Sequence, residues 1–239
     1  MKKAPKKEKC PASPERQIFA FWTGDNQMSA NRLSALASMH ASCECPVIFL
    51  SSRNIRSREL PEAPFHAAYD FLSDTHKADY LRCYFMHHYG GGYSDIKRTT
   101  KSWASAFDSF NDPLINAAGY REIDADSVAP VGGELETRLR RHYRNLMGNG
   151  AYVFRPRTIF TQKWYDATHL LLDTKLAELA IHTARHPRDF QGAELSPGCF
   201  SQYPLKWTEM LGNIFHPIAY EFRRHVAFCD IEPSFRDYY

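Results

Sequence analysis

The segment His76–Lys97, HKADYLRCYFMHHYGGGYSDIK, constrains the fold of this chain more than any other stretch. It reads as an amphipathic helix, a turn of three consecutive glycines, and a short strand that presents Asp95 and then Lys97. Glycines admit positive φ and let a ligand approach the main chain. A carboxylate at a strand end after such a turn sits where open α/β sheets bind nucleotides. Residues two apart on a strand share a face, so Asp95 and Lys97 are expected side by side. Asp79 and Arg82 are expected to share a face of the helix, with Tyr80, Leu81, Tyr84 and Phe85 turned to a core. Because the turn folds the chain back, Asp79, Arg82 and Asp95 should meet at one rim.

The flanking sequence predicts the frame for that rim. Residues 17–23, QIFAFWT, read as a buried strand ended by Gly24-Asp25-Asn26. Ser29 is placed to cap a helix through about residue 39, and Val47–Leu50 forms a second buried strand after Pro46. Strand, helix, strand in this order is a βαβ unit, which implies a parallel sheet. Further helices are expected over 67–72, 76–88, 102–110, 161–182 (the longest) and 207–215, with a strand over 149–154. The stretch between 111 and 134 is weakly patterned, and 185–204 reads as loop. With no internal repeat or linker, one domain is expected.

Composition narrows the class. The net charge of +3 rests on the first nine residues, MKKAPKKEK, so residues 1–15 are expected to be a disordered basic tail and 16–239 the folded domain. The tail resembles neither a secretory signal nor a transit peptide. No apolar run approaches the roughly 18–20 residues of a membrane span, so a soluble protein is expected. The six cysteines have no zinc-finger spacing and imply reduced thiols, hence a cytoplasmic setting.

Asp79, Arg82, the glycines 90–92, Tyr93 and Asp95 together resemble the signature of the DXD-type sugar transferases. These are GT-A-fold glycosyltransferases, among them capsular-polysaccharide synthesis enzymes and the glucosylating domains of clostridial toxins. The segment is similar to short glycosyltransferase domains of large algal viruses, and the resemblance covers residues 17–101. It implies a GT-A-like α/β domain, a mixed Rossmann-like sheet flanked by helices. It also implies transfer of a sugar from a nucleoside diphosphate sugar, a uridine one by preference, to a glycan acceptor, with no nucleic-acid partner. By the same resemblance Trp22 stacks on the base with Thr23 beside it, and Ser51 and Ser52 line the base and ribose. Asp79 and Arg82 contact donor sugar and phosphate, and Gly92, Tyr93, Ser94 and Lys97 complete the donor site. Asn149 meets the sugar. Asp95 faces ribose and a Mn²⁺ or Mg²⁺ ion, with His216 placed to complete the metal and diphosphate site.

One departure matters. Lys97 stands where the second Asp of the motif holds the metal. Loss of a diphosphate leaving group requires neutralisation of its charge, which a divalent ion held by carboxylates supplies. Either Asp95 still holds the ion with phosphate oxygens, waters and a C-terminal ligand, which is the expectation adopted, or Lys97 and neighbouring cations take over part of that work. A general base for an inverting reaction would come from Asp189, Glu194 or Glu209, each of which also reads as an ordinary solvated residue. The pair His87-His88 reads as packing at a helix end. Two other classes share part of this pattern. A metal-dependent nuclease could use Asp95-x-Lys97, but its upstream acid would lie on a helix and the glycines would have no role. A non-catalytic nucleotide-sugar binder would account for the missing second carboxylate.

Overall fold

The structure, a computed structural model, describes residues 12–236. Its strands and helices in chain order are β1 (Ile18–Trp22), α1 (Ala30–Ser42), β2 (Val47–Ser51), α2 (Asp74–His88), β3 (Gly91–Ser94), α3 (Ala104–Asp108), β4 (Ala117–Arg121), α4 (Gly133–Arg141), β5 (Met147–Phe154), α5 (Ile159–Ile181), β6 (Glu194–Ser196), β7 (Cys199–Phe200), α6 (Gly212–Glu221) and β8 (Val226–Phe228). Six strands form one mixed sheet in the order β2-β1-β3-β5-β4-β8, and β6 pairs with β7 in a separate hairpin. β5 runs antiparallel to both its neighbours, whereas β1 is parallel to β2 and β3, and β4 to β8.

Alternation along the strands builds a core on each face of the sheet. Phe19 and Phe21 of β1 join Tyr93, Tyr152 and Phe154 against Phe85 of α2, Trp164 of α5 and Phe215 of α6. Ile18 and Ala20 join Ala151 and Val153 on the other face, against Ala35 and Met39 of α1 and Ala106 and Phe107 of α3. The result is an α/β sandwich with helices on both faces. Because α1 and α2 pack on opposite faces, the chain reverses its winding at β1, and open sheets leave a crevice at the carboxyl ends of the strands beside such a point.

Local chemistry explains the ends of the helices that matter most. The hydroxyls of Ser29 and Ser73 accept the backbone N–H of Arg32 and His76, satisfying donors at the starts of α1 and α2. α2 terminates at the glycines: Gly90 and Gly91 have φ of 65° and 81°, which side-chain-bearing residues rarely adopt. Gly92 has another reason to lack a side chain. A Cβ there would lie 2.9 Å from Trp103 Cζ3 and 3.0 Å from Ile18 Cγ1. The glycines therefore serve the turn and the packing of β3 at its amino end, not a ligand at its carboxyl end.

Several expectations shift. β4, α4 and β8 fall where no element was expected, the 67–72 helix is a short 3-10 turn over Tyr69–Phe71, and the last helix lies at Gly212–Glu221. The loop of 185–204 contains the β6–β7 hairpin. Of the expected basic tail, residues 1–11 lie outside the described residues; Pro14 is buried and the Ser13 hydroxyl accepts from Arg155 Nη1 at 3.4 Å, so the ordered chain begins before residue 16. None of the helices among the described residues is long and apolar enough to cross a membrane.

Candidate functional site

A cavity of about 570 Å³ opens at the carboxyl ends of β1 and β3. Trp22 and Thr23 enter it from the end of β1, Arg32 from α1, Asp74 and Arg82 from α2, and Tyr93, Asp95 and Lys97 from β3 and the turn after it. Its outer wall comes from the C-terminal half: Pro187, Arg188 and Trp207. The starts of α1 and α2 both face it through Ser29, Asp74 and Thr75. Helix amino ends present N–H groups and positive partial charge, which suits an anion.

Asp95 is the hub. Its Oδ1 accepts from Arg82 Nη2 at 2.9 Å and from the Tyr93 hydroxyl at 2.7 Å, and its Oδ2 accepts from Lys97 Nζ at 2.8 Å. The backbone N–H of Asp95 donates to Gly150 O at 2.8 Å, extending the β3–β5 ladder and fixing where the carboxylate points. Burial opposes the charge on Asp95, but Arg82 and Lys97 outweigh it and hold the carboxyl down at about 2. Arg82 is itself clamped: Nη1 donates to Asn149 O at 3.0 Å, and the guanidinium lies 4.6 Å from the Tyr93 ring centre. Lys97 is buried, its ammonium 4.2 Å from the Phe235 ring centre.

Asp79 does not line the cavity. It is buried behind Arg82, 3.7 Å from Nη2, and burial pushes its carboxyl up to about 6 despite that neighbour. It supports the charge of Arg82 without lining the cavity. At the opposite end Trp22 is half-buried and donates through Nε1 to Asn26 O at 2.7 Å, while the Thr23 hydroxyl donates to Asp74 O at 2.6 Å. A Cβ on Gly24 would come within 2.6 Å of Asp74 Oδ2, so the chain must pass close to α2 here.

The structure thus brings together Trp22, Thr23, Arg82, Tyr93, Asp95 and Lys97 among the residues expected from sequence. Ser51 and Ser52 are not on the cavity wall; Ser51 N donates to Asn54 Oδ1 at 2.7 Å and Ser52 N donates to Trp22 O at 3.0 Å. Ser94 is buried with its hydroxyl donating to Asp95 O at 2.9 Å, and Asn149 contributes its carbonyl to Arg82. Asp189 is fully buried and accepts from Arg185 N at 2.8 Å, Glu209 accepts from Lys206 N at 2.8 Å, and Glu194 is exposed on β6; none of the three is on the cavity wall. His216 is also fully buried elsewhere, its Nδ1 accepting from Ala129 N at 3.0 Å and its Nε2 lying 3.1 Å from Glu122 Oε2. Asp74 and Asp95 are the carboxylates that the described residues bring to the cavity.

Sequence reasoning missed Arg32, Asp74, Arg188 and Trp207. Arg32 Nη1 donates to Ile96 O at 2.6 Å, tying α1 to the turn that carries Lys97. The Arg188 guanidinium lies 5.3 Å from the Trp207 ring centre. Only Asp74 carried a local signal, as the residue following the helix cap Ser73. A hard divalent ion needs several oxygen ligands. Here the single carboxylate at the expected place already accepts three donors, two of them cations. No group of three or more His, Cys, Asp or Glu among the described residues is placed to hold a metal ion. No protein-family model and no curated protein matches the chain.

Proposed function

We propose that this protein is a glycosyltransferase of GT-A-like fold that takes its sugar from a nucleoside diphosphate sugar, a uridine one by preference, and passes it to a glycan acceptor. The observation that carries the reading is the joining of an aromatic edge, Trp22, to the Arg82–Asp95–Lys97 cluster within one cavity at the carboxyl ends of parallel strands. Trp22 offers a face for the base, since aromatic stacking on a base is worth about 1–3 kcal/mol. The cations Arg32, Arg82, Lys97 and Arg188 outnumber the carboxylates Asp74 and Asp95, so the wall has positive charge to set against a diphosphate. The winding order of β1, β2 and β3 and the antiparallel β5 support the fold assignment.

In this reading the cavity binds the donor with its base at Trp22 and its diphosphate towards Lys97. Asp95 orients Arg82 and Lys97 and does not act as a base, because a carboxyl held at about 2 takes up protons poorly at neutral pH. The test is release of nucleoside diphosphate from a panel of nucleotide sugars, with and without oligosaccharide acceptors. Trp22→Ala should raise KM for the donor and Asp95→Ala should abolish turnover. Normal turnover by Asp95→Ala would refute the assignment. Tight donor binding without any turnover would instead favour a nucleotide-sugar-binding protein.

A further inference from the structure

We infer that the cation pair on Asp95 replaces a divalent ion: Lys97, with Arg82 beside it, neutralises the donor diphosphate, and donor binding needs no metal. This inference rests on the proposed nucleotide-sugar reading and sharpens its chemistry. It departs from the Mn²⁺ or Mg²⁺ dependence that the sequence resemblance implied.

Three observations carry it. First, three of the roughly four acceptor positions that a metal could use on Asp95 are occupied. Asp95 Oδ1 has two donors, Arg82 Nη2 at 2.9 Å and the Tyr93 hydroxyl at 2.7 Å, which fill its acceptor capacity. Oδ2 has Lys97 Nζ at 2.8 Å. An ion bound to the remaining side of Oδ2, at about 2.1 Å, would lie within about 5 Å of the ammonium. Two like charges would then share one carboxylate in a largely water-excluded place.

Second, Lys97 is held and not swinging in solvent. It is 8 % exposed, its ammonium faces the Phe235 ring at 4.2 Å, and the segment carrying Phe235 is tied back by Ser234 N donating to Arg98 O at 2.8 Å. A lysine fixed in this way is a point charge positioned in advance, which is what charge neutralisation at a leaving group requires.

Third, among the described residues the cavity wall adds cations and not ligands. Arg32 and Arg188 line the same cavity, and the other carboxylate on its wall, Asp74, lies at the Trp22 end where its carbonyl holds Thr23. Among the described residues, the cavity wall therefore offers few further oxygen ligands near Lys97 and several cations.

The decisive experiment is calorimetric titration of the full chain with uridine diphosphate, in excess EDTA and separately in millimolar Mn²⁺ or Mg²⁺. Uridine diphosphate should bind in EDTA with an affinity within about threefold of that in Mn²⁺. Lys97→Ala should weaken binding in EDTA at least tenfold while leaving uridine binding unchanged, and Lys97→Arg should recover part of the loss. Lys97→Asp, which restores the two-carboxylate motif, should bind poorly in EDTA and regain affinity with Mn²⁺. The wild-type comparison alone decides the matter if a variant fails to fold. Binding by wild type that requires Mn²⁺ or Mg²⁺ would overturn the inference and leave the nucleotide-sugar reading standing. Absence of uridine diphosphate binding under both conditions, with no other nucleoside diphosphate substituting, would overturn the inference together with the reading beneath it.

Discussion

Lys97 donates to Asp95 Oδ2 at 2.8 Å while Arg82 occupies the other oxygen of the same carboxylate at 2.9 Å. One acid thus organises two cations from different elements, the helix α2 and the turn after β3. All three side chains are largely buried, at 10–18 % exposure. Each depends on the others for its charge to be tolerated there.

Asp95→Asn should therefore destabilise the fold as well as the site. Removing one member of a buried ion cluster leaves uncompensated charge and typically costs about 3–5 kcal/mol. Urea denaturation should show a lower midpoint with an unchanged slope. A variant as stable as wild type would mean that the cluster is solvated and that the burial argument is wrong.

Stability should fall in mild acid. Burial holds His76, His88 and His169 at about 4, below their ordinary value of 6.5. The unfolded chain binds these protons first, so stability present above about pH 6.5 is lost as pH falls towards 4. Asp79 works in the opposite direction. Its carboxyl is raised from 3.8 to about 6, so the folded state binds the proton first and this one group favours folding as pH falls through that window. Burial lowers His87 as well and raises Asp74 as well, so four histidines oppose two carboxyls, and the fully buried His76 alone is worth about 3 kcal/mol. Denaturation at pH 7 and pH 5 should show the loss, and His76→Gln should flatten the difference. Equal stability at both values would contradict it.

Gly92→Ala separates packing from ligand binding. The added Cβ meets Trp103 and Ile18 at 2.9 and 3.0 Å, on the face opposite Tyr93. A loss of about 1–3 kcal/mol of stability is expected, with nucleotide affinity retained by the folded fraction. Unchanged stability with lost binding would show that the glycine faces the ligand after all.

Trp22 should be replaceable by Phe but not by Ala. A base stacked on its ring loses about 1–3 kcal/mol with Trp22→Ala, a tenfold or greater rise in Kd. Trp22→Phe keeps an aromatic face and gives up the Nε1 bond to Asn26 O, so most affinity should survive. Equal affinities for wild type and Trp22→Ala, measured by fluorescence titration, would place the base elsewhere.

The central strands and the Asp95 cluster were legible in sequence because their signals are local. IFAFW and VIFL are apolar runs bounded by breakers, Ser29 is a cap next to helical spacing, and the run Ser73-Asp74-Thr75 offers three cap candidates of which Ser73 is the one used. Arg82, Asp95 and Lys97 lie within one short stretch whose periods fix their directions. β4, with the sequence AAGYR, has small residues where a strand signal needs branched or aromatic ones, and β8 has only three residues. Pro217 lies inside α6, a residue type that ordinarily ends a helix, so sequence pattern does not extend the helix that far. Arg188 and Trp207 reach the cavity from distant loops, where no spacing ties them to Asp95. Asp189, Glu209 and His216 read as isolated polar residues, yet Asp189 and Glu209 accept backbone bonds within their own loops and His216 accepts one from the distant Ala129.

The most direct measurement of the central claim is the melting temperature in the presence of nucleotide sugars, free nucleosides and free sugars. A nucleoside diphosphate sugar at about 100 times its Kd stabilises the native state by about 2.7 kcal/mol, which for a chain of this size is a rise of about 5–10 °C. The account predicts that rise for at least one such donor, a smaller one for its nucleoside diphosphate, and none for free sugar. A panel in which no nucleoside diphosphate sugar shifts the melting temperature, with or without divalent ions, would contradict it.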